Sequence, residues 1–465
     1  MDQDKLVRAQ IQKTVESFLE HTITWVAALN AASKFSNGAR CLEGKGIAKW
    51  GGRKRGSFNM CYWVNVEGQH CEWVVRFPLL GMFPIQSIRR KMKSEVATIL
   101  FLEEKTNVRV ARVIGYNIRD EVELPFIITE SIRGLPLNVV LAVHGDKPGV
   151  KEKIMFSIAE QYLELLSHPF DRIGSLTLSE TGNWSVSYGP LGVDMFDISQ
   201  DGVEIRDLGP FSNSSEYFAT QIELHGRYLE EQSNSVFDKD DARQKYLTTH
   251  LFPSILQRFV IAGTANGPFF LTHADLHESN VMINYKFEVA AILDWELSCT
   301  MPFEVASAPP LCLAGTSPVD LMPSSTEYEI FEENIKLFAR TIHQILPNRQ
   351  MDHKMDIASA VTEAVSHKRA LFAWAINDVR HMHEIFWDHL APFVYRIRPP
   401  PIKQTENVVD TEDVDMVSEK DFVNTELLDE KYGNLDNWVK ERLKSLEEYK
   451  KEMEVWKSGG ILNED

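Results

Sequence analysis

Apolar residues recur at helical spacing at the start of the chain (Leu6, Val7, Ile11, Val15, Phe18 and Leu19), which predicts an N-terminal helix with Asn37-Gly38 as its stop. From about Gly51 to Glu130 the pattern changes to short β-rich runs at 58–64, 71–77 and 126–129, the first two separated by the turn-like Val66-Glu67-Gly68-Gln69. Between the second and third runs, Val96, Ile99, Leu100 and Leu102 mark a helix over 92–104. After Gly134 long helical stretches take over at 151–167, 216–232, 244–261, 326–346 and 357–387, interrupted by one β-rich passage at 269–295. Near the C-terminus Val439, Leu443, Leu446, Met453 and Trp456 share a helical face, which predicts a helix docked on the body or offered to a protein partner. The pattern predicts an α+β chain with a small β-rich lobe and a large, mainly helical lobe, joined near 129–135. It divides into an N-terminal helical extension (1–37), the small lobe (38–131), the helical lobe (132–400) and an acidic linker with the terminal helix (401–465).

Charge sharpens this picture only locally. The chain of 465 residues carries a formal net charge of −18, which argues against a sequence-independent grip on nucleic acid. Between 403 and 430 ten acids face two lysines, so much of the excess falls on a stretch whose composition favours a solvated segment. The five cysteines include no C-x-x-C pair and read as free thiols of a reducing compartment. No window reaches the ~18 apolar residues that would predict a membrane span. Met1 to Lys13 lacks the apolar core of a secretory signal, so a cytoplasmic protein is expected.

Chemistry concentrates in one passage. An apolar run at 269–271 enters a loop bearing His273, Asp275 and Asn280, and a second apolar run at 289–293 ends on Asp294. The spacing predicts that two carboxylates and a carboxamide meet at one end of a β-hairpin formed by these runs. Phosphoryl transfer asks for such a set: a carboxylate that orients a hydroxyl and takes its proton, and oxygen ligands for Mg²⁺ on the nucleotide phosphates. An Asp, an Asn five residues on and an Asp ending the next strand is the arrangement of the protein-kinase catalytic loop. Asp294-Trp295-Glu296 stands where a protein kinase has D-F-G, and no A-P-E segment follows.

The strings His273-Ala-Asp275-Leu-His277-Glu-Ser-Asn280 and Ile292-Leu-Asp294-Trp-Glu296 resemble the signature of the aminoglycoside phosphotransferase/choline kinase group, particularly its fungal branch. Further segments resemble that group in order. Gly56-Ser57-Phe58-Asn59 looks like its phosphate-covering turn and Trp73–Pro78 like the strand bearing a basic phosphate contact. Ser94-Glu95 falls where its helix presents a paired Glu, and Ile127–Gly134 looks like the linker that meets adenine.

The resemblance implies a protein-kinase-like two-lobed fold and transfer of the γ-phosphate of ATP, with Mg²⁺, to a hydroxyl of a small molecule. It implies Asp275 as catalytic base, Asn280 and Asp294 as metal ligands, and His273 as structural support of the loop. Ser57, Asn59, Arg76, Glu95, Thr129, Glu130 and Ile132 would contact the nucleotide or position its contacts. Arg76 stands where most kinases carry Lys, with Lys54 or Arg55 as alternative phosphate contacts, and no full Gly-rich loop is present. The competing expectation is a catalytically degenerate, kinase-like binding protein. The expected partner is a small-molecule hydroxyl acceptor, for which an acidic site would suit a cation such as an amino sugar or choline, without nucleic acid or membrane.

Overall fold

A computed structural model describes residues 12–16, 22–46, 52–80, 85–119, 123–190, 208–323, 325–351, 353–395, 397–398, 417–418 and 435–458. The expected N-terminal helix falls partly outside them. Within them it is divided: 12–16 is helical, and a separate helix α1 (Trp25–Ser33) begins where the Thr24 hydroxyl accepts the Ala27 N–H. The β-branched run Thr22-Ile23-Thr24 and this cap explain the break.

The small lobe is a six-stranded antiparallel sheet. Its strands are β1 (Cys41–Glu43), β2 (Arg53–Arg55), β3 (Asn59–Val66), β4 (Trp73–Pro78), β5 (Val113–Asn117) and β6 (Phe126–Glu130), in the order β1-β3-β4-β6-β5 with β2 also on β3. Alternation decides which face does what. Tyr62, Val64 and Val66 of β3 and Trp73, Val75 and Phe77 of β4 are buried in one cluster that includes Ala28, Ala31 and Ala32 of α1. The Tyr62 hydroxyl donates to the Ile23 carbonyl at 2.7 Å and its ring meets Trp25 edge-on, so the N-terminal segment covers the outer face. The opposite parity, Cys61 and Trp63 with Val74 and Arg76, faces the large lobe, and Cys61 and Arg76 are register partners. Helix α2 (Ile85–Lys105) begins seven residues before the expected start and packs through Ile88, Met92 and Val96 against Ile127.

The large lobe contains α3 (Val150–Leu166), α4 (Ser214–Glu231), α5 (Lys239–Ile255) and α6 (Thr326–Ile345), close to the predicted spans. The expected helix over 357–387 is instead a series of short pieces: α7 (Ile357–Ser366), α8 (Arg369–Asn377), α9 (Met382–Ile385), a π-turn at Phe386–Leu390 and α10 (Ala391–Tyr395). Lys368 adopts φ 54° and the Asp378 carboxylate takes the His381 N–H at 3.0 Å, which ends one helix and starts the next. The apolar pattern runs through because several pieces bury residues in the same core, including Leu371, Phe372, Ile385 and Leu390.

The terminal helix α11 (Leu435–Ser458) lies on α5. Leu435, Val439 and Leu446 are buried in the large core, Trp438 meets the Tyr246 ring at 5.3 Å, and Asp436 pairs with Arg243 at 3.3 Å. Its apolar face is therefore covered by the body. Apart from Val417-Ser418, the acidic stretch at 403–430 lies outside the described residues. No helix among the described residues is long and apolar enough to cross a membrane.

Buried histidines, His225 and His389 among them, make stability depend on pH. Burial lowers both His225 and His389 from the usual 6.5 to about 4. Their neutral forms are the folded ones, so stability is complete above about 6.5 and is lost as pH falls towards 4. The loss is on the order of 1 kcal/mol per pH unit for each ring. Urea unfolding at pH 7 and pH 5 is expected to give a lower midpoint at pH 5, and His389→Gln is expected to reduce the difference.

Candidate active site

The site lies where the two lobes face each other, and its loop is built differently from the predicted hairpin. Strand β7 (Phe269–Thr272) pairs with Cys299–Met301 and Pro169-Phe170, whereas Val281–Ile283 pairs with Val289–Ile292 and Leu135-Pro136. The run entering the loop and the run ending near Asp294 therefore belong to two sheets. The chain crosses between them through Asp275 and the short 3₁₀ turn Glu278–Asn280.

His273 ties the pieces together. Its Nε2 donates to the Leu293 carbonyl at 2.8 Å, and its Nδ1 accepts the Asp275 N–H at 3.2 Å. Burial pushes this imidazole down to about 4, so it is neutral with the proton on Nε2, and its ring stands edge-on to Trp295. Asn280 adds two bonds: Nδ2 donates to the Asp275 carbonyl at 2.9 Å and its own carbonyl accepts the Leu293 N–H at 2.8 Å. The Asp275 side chain is 42 % exposed, with His277 Nε2 3.7 Å away. Asp294 adopts φ 66°, a left-handed conformation uncommon outside glycine that the bonds on its neighbour Leu293 hold in place.

From the small lobe, Arg76 reaches across. Its guanidinium pairs with Glu95 of α2 and with Asp294 at 3.2 Å, joining strand, helix and loop. Burial opposes the guanidinium charge, but Glu95, Asp294 and Glu296 outweigh it and keep Arg76 protonated. Burial first, then the Glu296 carboxylate, raise Asp294 to about 7 against the opposing pull of Arg76.

A second network stands beside it. Buried Glu296 accepts from Lys91 at 2.9 Å and from the Asn59 carboxamide at 2.8 Å. Burial would raise this carboxyl, but Lys91 and Arg76 hold it below the usual range. Asn59 thereby fastens the turn at Gly56–Asn59, closed by the Gly56 N–H on the Asn59 carbonyl at 2.8 Å, to the large lobe. Removing one partner of a buried pair leaves an uncompensated charge. Lys91→Met is therefore expected to cost about 3–5 kcal/mol of stability, measured by denaturant unfolding.

All the sequence-predicted residues except His273 line one cleft of about 980 Å³: Ser57, Asn59, Arg76, Glu95, Thr129, Glu130, Ile132, Asp275, Asn280 and Asp294. His273 sits behind it. Val74, Met282 and Ile292 give one end of the cleft apolar walls, and Lys54 lies on its border. Glu130 turns its carboxylate towards Arg112, and the Trp63 indole donates to the Ser131 hydroxyl at 3.2 Å. A second cavity, of about 340 Å³, opens on the other side of Asp275.

The donors fit Mg²⁺. Asn280 uses its Nδ2 on the loop, leaving Oδ1 as a hard oxygen ligand, and Asp294 supplies a carboxylate in the same cleft. Among the described residues no three His, Cys, Asp or Glu side chains gather as a self-sufficient metal site. Two protein oxygens suit an ion that takes its remaining ligands from phosphates and water.

Sequence reasoning assigns no role to Lys91 or to Glu296. Their pairing spans 205 residues of sequence, and Asn59 to Glu296 spans 237, so no local pattern reveals it. The one available signal was a Lys followed four residues on by Glu95 within an amphipathic helix.

No curated protein matches the chain. Among solved structures, the Plasmodium vivax ethanolamine kinase Pv091845 is similar at 14 % identity and a TM-score of 0.42, over 73 % of this chain and 81 % of that one. A macrolide 2'-phosphotransferase type I is similar at 12 % identity and a TM-score of 0.39, over 77 % and 93 %. The model of the phosphotransferase enzyme family matches residues 54–305, a span that begins in β2 and ends beyond Asp294 and takes in every site residue described above. That span is more than half of the chain, and the protein belongs to the phosphotransferase enzyme family.

Proposed function

We propose that the protein is an ATP- and Mg²⁺-dependent phosphotransferase acting on a hydroxyl of a small molecule. The observation that carries this reading is the meeting of Asp275, Asn280, Asp294 and the Arg76–Glu95 pair in one cleft. Adenine would lie between Val74 and the Met282–Ile292 wall, with the Glu130 carbonyl and the Ile132 N–H at its edge and Thr129 behind it. Ser57 and the backbone of the turn would cover the phosphates, with Arg76 and Lys54 as cations near them.

Asp275 orients the acceptor hydroxyl and takes its proton as the oxygen attacks the γ-phosphorus. The bond to the bridging oxygen breaks and ADP leaves. Asn280 and Asp294 would hold Mg²⁺, which when bound would supply charge neutralisation on the phosphates. His273 acts by fixing the peptide that carries Asp275 and the carbonyl before Asp294. Glu95 acts by holding Arg76.

The competing reading, a kinase-like module without transfer, draws on Arg76 and the missing glycines. The double pairing of Arg76 favours catalysis, because a forked guanidinium serves both acids at once. In the proposed role the protein works in the cytoplasm with a small-molecule partner. A protein partner for the terminal helix would have to use the face that Val439 and Leu446 do not occupy. Calorimetric titration with ATP is expected to show binding in Mg²⁺ that is lost in excess EDTA; no binding in either buffer would refute the role.

A further inference from the structure

The cavity on the far side of Asp275 has a chemistry that selects its occupant. Its lining, among the described residues, includes Leu165, Met301, Val305, Leu311 and Trp374. The tyrosines that border it have their hydroxyls engaged: Tyr162 donates to the Ser307 carbonyl at 2.8 Å and Tyr217 to Asn377 Oδ1 at 2.7 Å. Both therefore turn ring carbon towards the space.

Among the described lining residues the charged groups are few. The only carboxylates among the described lining residues are Asp275 and Asp378. Asp378 takes the His381 ring Nδ1 at 2.8 Å as well as the His381 N–H, and Arg380 adds a positive charge beside it. A polyamine acceptor needs several carboxylates to compensate its ammonium groups in so apolar a space. An anionic acceptor would meet Asp275 at close range.

We propose that the acceptor is an uncharged alcohol with an apolar body, its hydroxyl at Asp275 and any polar far end within reach of the Asn377 amide. This deepens the phosphotransferase reading and rests on it. The acceptor oxygen forms the new bond to the γ-phosphorus, the bond to the β–γ bridging oxygen breaks with its electron pair going to ADP, and the hydroxyl proton passes to Asp275.

The test uses the full chain with Mg²⁺ and ATP. Acceptors are 1-alkanols of about four to ten carbons, choline, ethanolamine and kanamycin; ADP release is followed, and alkanol binding is measured by calorimetry in MgADP. Alkanols are expected to stimulate ADP release, with KM falling about three- to fourfold per added methylene until the cavity is filled. Trp374→Ala is expected to raise the KM for octanol at least tenfold without moving the KM for ATP, and Trp374→Phe to restore most of the loss. ADP release with the charged acceptors and none with alkanols overturns the proposal and leaves the transfer reading standing, as does a Trp374→Ala enzyme with unchanged octanol KM. Saturable alkanol binding without any ADP release supports the cavity assignment and sinks the transfer reading. Absence of both alkanol binding and alkanol turnover overturns the proposal.

Discussion

Asp275→Asn is expected to slow phosphoryl transfer by at least a thousandfold, about 4 kcal/mol of barrier, while Mg²⁺-dependent ATP affinity stays within about threefold. The two contacts that hold the loop at this position, His273 Nδ1 to the N–H and Asn280 Nδ2 to the carbonyl, both use the backbone of residue 275 and survive the change. The side chain is partly open to solvent, so the substitution buries no new unpaired group. In the proposed role, what the variant lacks is the acceptor for the hydroxyl proton. Single-turnover kinetics at saturating ATP, beside calorimetry, separates the two quantities. A variant that keeps near-normal transfer removes Asp275 from the role of base.

Arg76→Ala is expected to damage folding and turnover together. Glu95 is 2 % exposed and depends on this guanidinium, so truncation leaves a buried carboxylate without its cation at a cost of about 3–5 kcal/mol. Asp294 then faces Glu296 with its nearest counter-charge removed, and kcat/KM is expected to fall by about 10²–10³ as a preorganised cation near the phosphates disappears. Arg76→Lys is expected to recover most of the stability and only part of the rate, because one ammonium cannot bridge Glu95 and Asp294 as the fork does. Denaturant unfolding and steady-state kinetics on the two variants check both parts. An alanine variant with wild-type kcat/KM would show that Arg76 serves the fold alone.

The division into a β-rich and a helical lobe was legible because β3 alternates along its length, β4 and β6 are short runs rich in β-branched and aromatic residues, and the principal helices carry broad apolar stripes. That Asp275, Asn280 and Asp294 come to one cleft was legible because they lie within 20 residues of one another. Four features escaped for physical reasons. Strands β1 and β2 are three-residue edge pieces, Cys41–Glu43 and Arg53–Arg55, whose exposed positions give no alternation to read. The helix predicted over 357–387 breaks where Lys368 turns left-handed and Asp378 caps the next segment, local events that leave apolar periodicity intact. The pairing of the strands around Asp275 was misassigned because apolar runs 269–271 and 289–293 look like partners, whereas their real partners, Cys299–Met301 and Val281–Ile283, are equally short and apolar. The Lys91–Glu296–Asn59 network lies furthest beyond local reading, since it exists only once the lobes face each other.

The central claim is that the cleft moves the γ-phosphate of ATP onto an alcohol. Phosphorus-31 NMR of the full-length protein with Mg²⁺, ATP and the acceptor panel follows each phosphate directly. The account predicts that the three ATP resonances give way to those of ADP together with a new phosphomonoester signal, with Mg²⁺ required and Asp275→Asn nearly silent. ATP resonances that persist with every acceptor, or that decay only to ADP and inorganic phosphate, would contradict it.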